Sequence, residues 1–75
     1  MPYIEIKAYP KDEAIKKDVA NDILETFAKK WGCKKEAITI SFTEVDPANW
    51  NNDVEENIIN KNVDKMYVLH GKTNK

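Results

Sequence analysis

Two alternating segments flank one long helical repeat, and that order restricts the fold of this chain more than any other feature. In residues 2–9, Ile4, Ile6 and Ala8 share one side, and Tyr3, Glu5, Lys7 and Tyr9 the other. Such alternation describes a strand with one apolar face. From Ala14 to Trp31 the apolar residues Ile15, Val19, Ala20, Ile23, Leu24, Phe27, Ala28 and Trp31 recur with the 3.6-residue period of an amphipathic helix. Asp12 is the expected N-cap, Lys29 and Lys30 suit the C-terminal end, and Gly32 is the expected stop. Residues 37–45, AITISFTEV, alternate again, with Ile38, Ile40 and Phe42 on one face and Thr39, Ser41 and Thr43 on the other. Asp46 and Pro47 end that strand. Residues 50–66 have mostly helical spacing, weakened by Asn60, Lys61 and Asn62, so one helix or two short ones fit. The tail, MYVLHG, suits a short strand. No repeat, low-complexity segment or linker divides the 75 residues, and residues 1–75 read as a single domain.

Strand, long helix, strand implies a parallel pair with a right-handed crossover. The expected class is therefore α/β, a β-α-β unit followed by a short C-terminal helical segment. Two strands alone do not make a stable sheet, and parallel sheets normally have both faces covered. One helix covers one face. The other, carrying Tyr3, Glu5, Thr39 and Ser41, needs a partner, and a second copy of the chain is the simplest. Size points the same way. A chain this short buries only about 60% of the surface its unfolded form exposes. A single cysteine, Cys33, rules out a disulfide scaffold and a Cys-rich metal knuckle, and His70 is the one histidine. Self-association is the remaining supplement.

Twelve basic residues balance thirteen acidic ones, and every basic residue is lysine. No basic excess marks a nucleic-acid binder, and no basic amphipathic face a membrane binder. Without arginine, an anion site must use lysines or backbone N–H groups. No signal-peptide pattern and no apolar run of about 20 residues is present. A reduced, cytoplasmic protein is the expectation. Several residues have bland readings. Trp31 ends the apolar stripe and suits a core position, Cys33 a structural one, and His70 a tail position. Glu44 and Asp46 fit a strand end and a turn, and GKT at 71–73 lacks the upstream glycine of a phosphate-binding loop.

Pro2 ahead of an alternating strand, a long amphipathic helix, a second strand ending in Thr43-Glu44, and Trp50 soon after form a combination that resembles the 4-oxalocrotonate tautomerase family. Over EVDPANW, residues 44–50, it is most similar to the longer-tailed bacterial YdcE-type branch. The resemblance implies a β-α-β fold, loss of Met1, and active sites at subunit contacts. It makes Pro2 the general base, and Trp50 matches an aromatic residue lining the pocket. Family members also carry two arginines. The corresponding places here hold Lys11 or Asp12, and Thr39.

Once Met1 is removed, the Pro2 nitrogen is a secondary amine rather than an amide. A free α-amino group titrates near ~8, and an apolar wall or a nearby lysine lowers that value. A base poised near neutral pH can take the proton of an enol oxygen and deliver one to carbon. Neither metal nor cofactor is needed. Lys11 is the best-placed sequence candidate for holding the substrate carboxylate, with Lys34 or Lys35 from a neighbouring subunit as others, and Trp50 would supply the wall. The expected function is an enol–keto tautomerase, a cofactor-independent isomerase acting on a 2-hydroxy-dienoate or an aryl enol pyruvate. It would work as a homo-oligomer, a dimer rather than a hexamer, with no nucleic-acid or membrane partner. Two alternatives stay open: a related dehalogenase, decarboxylase or hydratase activity, and a non-enzymatic module binding a small acid or a protein.

Overall fold

The computed structural model describes all residues, Met1–Lys75. They form two compact units, Met1–Val45 and Asp46–Lys75.

The first unit is a β-α-β arrangement. β1 (Tyr3–Ala8) and β2 (Thr39–Glu44) pair in parallel, with Tyr3 opposite Thr39 and Ala8 opposite Glu44. That register aligns the two alternations. Ile4 and Ile6 stand beside Ile40 and Phe42, all half-buried, while Tyr3, Glu5, Thr39 and Thr43 are exposed. The polar face is tied by side chains, with the Tyr3 hydroxyl 2.8 Å from Ser41 Oγ and Thr43 Oγ1 donating to Glu5 Oε2 at 3.3 Å.

α1 (Glu13–Trp31) joins the strands. Its N-terminal turn is fixed to the C-terminal end of β2, where Glu44 Oε2 accepts from Lys16 Nζ at 3.0 Å and from the Lys11 N–H at 3.1 Å. Its later turns are fixed to the segment before β2 by a Glu25–Lys35 ion pair. The helix therefore runs antiparallel to the strands. Gly32 ends it in the left-handed region (φ 79°, ψ 41°), and the N–H groups of Gly32 and Cys33 both donate to the Ala28 carbonyl, at 3.0 and 3.2 Å. Asp12 departs from expectation. It occupies the N-cap position, but its side chain makes no capping bond, and only its carbonyl accepts, from the Lys16 N–H at 3.0 Å.

Trp31 also departs. It is 70% exposed rather than in a core, and stacks on Phe27 with ring centroids 5.3 Å apart. Length explains this. A helix of 19 residues is about 28 Å long, and a strand of 6 residues about 20 Å. Anchored at its first turn, α1 overhangs the sheet by roughly two turns, so its last aromatic residue has no strand beneath it. The second strand is shorter than the alternation suggested, because Lys35–Ala37 forms a 3-10 turn and β2 begins only at Thr39.

The second unit begins with α2 (Pro47–Trp50). Asp46 caps it, accepting the Ala48 N–H at 2.8 Å, and Pro47 fills the first turn, where its missing N–H costs nothing. The residues that end β2 thus also start a helix, earlier than the spacing placed it. From Asn51 to Ile59 the backbone widens into a π-helix, closed by the Asn60 N–H donating to the Glu55 carbonyl at 2.8 Å. Asparagine side chains bond to its backbone, Asn57 to the Asn52 carbonyl at 2.7 Å and Asn62 to the Ile58 carbonyl at 2.8 Å. Such local side-chain bonding competes with the regular helical ladder. A 3-10 turn, Val63–Lys65, follows, consistent with the reading as separate short pieces.

The tail is a hairpin rather than one strand. β3 (Val68–Leu69) and β4 (Lys72–Thr73) pair antiparallel around His70 and Gly71, with φ of 47° and 81°. Two consecutive positive φ angles define the tight hairpin turn whose twist matches paired strands. His70 is therefore a turn residue, and its Nε2 lies 3.2 Å from the Glu55 carboxylate. No helix is long and apolar enough to cross a membrane.

Candidate active site

Pro2 precedes β1 and is held to β2 through its own carbonyl, which accepts the Thr39 N–H at 3.2 Å. That bond sets Pro2 in register at the head of the sheet without using its nitrogen. Pro2 is half-buried, and Met1 is 99% exposed. The neighbouring Tyr3–Ser41 contact stiffens the same strand ends on the polar face.

Lys11 lies at the opposite end of the sheet. Its N–H donates to Glu44, the residue paired with Ala8. The rise of β1 separates that end from Pro2 by about 20 Å. Within one chain, Pro2 and Lys11 do not meet. Glu44 is the anchor there. The Lys11 N–H first, and the Lys16 ammonium second, hold its carboxyl below the usual range. Lys16 is raised by its bonds to Glu13 and Glu44. These groups stabilise the turn into α1. Trp50 belongs to the second unit, half-buried in the last position of α2. Cys33 is half-buried just past the glycine that stops α1.

The head of the sheet carries more charge than the sequence motifs suggested. Because α1 runs antiparallel to the strands, Lys29 and Lys30 in its last turn, and Lys34 and Lys35 beyond it, come to the Pro2 end. The signal lay in the topology. Once two strands joined by one helix are read as parallel, the end of that helix must sit by the start of both strands.

A β-α-β unit headed by a proline held to the second strand through its carbonyl defines the class, a small α/β protein built around its N-terminal strand. The relatives narrow it. The chain is similar to Tautomerase PptA of Pectobacterium atrosepticum, 31% identical over 68 residues covering 88% of this chain and 90% of the relative. It is also similar to Tautomerase PptA of Pectobacterium carotovorum subsp. carotovorum (29%) and of Cronobacter sakazakii (25%), with the same coverage. No protein-family model matches the sequence. The chain belongs to the tautomerase family of these PptA proteins.

Proposed function

We propose that this protein is a cofactor-independent enol–keto tautomerase, an isomerase in which Pro2, freed of Met1, is the general base. The observation that carries the reading is the Thr39 N–H bond to the Pro2 carbonyl, which fixes the residue at the head of the strand. Met1 is followed by proline, a residue small enough to permit its removal. The tautomerase names of the relatives support the reaction class.

The substrate class is a small enol of a 2-oxo acid, a 2-hydroxy-dienoate or an aryl enol pyruvate. The amine takes the proton of the enol oxygen, the electron pair moves through the C–O and C–C bonds, and the resulting ammonium delivers a proton to the chain carbon. The bonds balance with no other reactant. A secondary amine in a ring has a fixed direction, which suits proton transfer over about 3 Å. Trp50 is the candidate apolar wall of the assembled pocket. The substrate carboxylate needs a lysine, and within the chain Lys11 is too far to supply it, at about 20 Å from Pro2.

The working form is a cytoplasmic homodimer of 75-residue domains. α1 has no fully buried residue, and its apolar stripe is open at Ile15 (42% exposed), Val19 (41%) and Trp31 (70%). A stable interface takes about 800 Å² per partner.

Ketonisation of phenylenolpyruvate, followed by ultraviolet absorbance, tests the function in wild type and Pro2→Ala after intact mass confirms loss of Met1. Alanine leaves a freely rotating primary amine, so the expected loss in kcat/KM is about 10²-fold, the low end for a positioned base. Equal rates in the two proteins would refute the proposal.

A further inference from the structure

We infer that Lys34 of the same chain is the cation that faces the Pro2 amine and takes the substrate carboxylate. This rests on the tautomerase reading of Pro2. Thr39 donates to the Pro2 carbonyl at 3.2 Å, and the chain just before Thr39 is the 3-10 turn Lys35–Ala37. Lys34 opens that turn, its carbonyl accepting the Ala37 N–H at 3.0 Å. Four residues separate Lys34 from Thr39, and three of them lie in a turn rising only about 2 Å per residue. The Lys34 backbone is thus about 12 Å from Thr39, against about 20 Å between the Lys11 end of the sheet and Pro2.

Lys35 is paired with Glu25, and Lys16 with Glu13 and Glu44. Lys29 and Lys30 sit on the helix, at the last turn that overhangs the sheet. Lys34 is exposed, opens the turn that leads into β2, and has no carboxylate paired with it. Its four-carbon stem spans about 6 Å, so a side chain turned toward the head of the sheet would bring the ammonium within roughly 6–8 Å of the proline nitrogen.

That separation fits the chemistry. In a 2-oxo acid enol the carboxylate is bonded to the carbon bearing the reacting oxygen. A base on that oxygen and a cation on the carboxylate must therefore stand one small substrate apart. A cation at this distance also disfavours the proline ammonium and lowers the amine's pKa. A lysine in the turn before β2 thus supplies both the binding charge and the bias toward free base.

The test uses full-length Lys34→Met, Lys34→Glu and Lys11→Met, each with Met1 removed. The first readout needs no turnover: the Pro2 amine pKa, by NMR titration. Lys34→Met should raise it by about half a unit, and Lys34→Glu by about twice that. Lys11→Met should leave it in place. The second is kcat/KM for phenylenolpyruvate and for its uncharged methyl ester. Lys34→Met should lower the acid about tenfold and spare the ester. An unmoved Pro2 pKa overturns the inference, as does an equal loss for acid and ester, or a selective loss of the acid in Lys11→Met instead. If no variant, nor wild type, turns over either compound, the tautomerase reading fails by itself, and the pKa series still decides whether Lys34 faces Pro2.

Discussion

Replacing Gly32 tests how the chain leaves α1 and reaches the segment that seats Pro2. Gly32 has φ 79° and ψ 41°, and a Cβ built there would meet no heavy atom within 4 Å. Gly32→Ala therefore creates no clash, and its whole cost is conformational. The left-handed region costs an L-residue about 1–2 kcal/mol. Part of that, about 0.4–1 kcal/mol, is offset because alanine restricts the unfolded chain. The net loss is about 1 kcal/mol, which for a domain of this size lowers Tm by about 4–8 °C. Circular dichroism melting at a fixed protomer concentration reads it, since association shifts Tm by mass action. Gly32→Asn should recover about half the loss, because asparagine enters the left-handed region more readily. If alanine and wild type melt together, the turn is not held in that conformation, and the link from α1 to the Pro2 end has been misread.

Acid should weaken the other end of the first unit. Glu44 is held below its ordinary value of 4.5, so its contribution is complete above that pH and fades as pH falls through the lower folded value. Lys16, raised above 10.5, contributes fully below that pH and loses its share only as pH rises through the raised value. Thermal melts in steps below pH 4.5 should show Glu44→Gln losing less Tm on acidification than wild type. Parallel declines would remove Glu44 from the account. Light scattering should give the mass of two chains, because a second copy is enough to cover the open stripe of α1. A hexamer mass would contradict the dimer.

The β-α-β core was legible because its periods are strong and its faces consistent. Ile4, Ile6, Ile40 and Phe42 fall on one side in the register the alternation demanded. Gly32 was legible as a stop because only a residue without Cβ enters that conformation freely. What was missed depends on lengths and local polar bonding. Trp31 satisfies the helical period, yet the strand beneath it is too short to cover it. Asp46-Pro47 read as the end of a strand, although an acidic cap followed by proline is also a helix start. The π-helix turns on asparagine side chains bonding to nearby carbonyls, which apolar spacing does not register. His70-Gly71 forms the hairpin turn, a pair outside the commoner Asn-Gly and Asp-Gly signals. Pro2 stood out in the sequence, but its neighbours did not. Motif position favoured Lys11, whereas the topology sets the lysines of residues 29–35 at the proline end.

The central claim is that a free secondary amine at Pro2 moves the proton. The most direct measurement compares two preparations of the same chain, one with Met1 removed and one with Met1 retained, each verified by intact mass. Both keep the proline ring, the fold and every side chain. Only the first has a nitrogen able to accept a proton, because in the second that nitrogen is an amide. Phenylenolpyruvate ketonisation should be fast in the processed chain and lower by about 10²–10⁴-fold in the retained one. Equal rates would mean that the proton travels through another group, and Pro2 would be left as the residue that starts a strand.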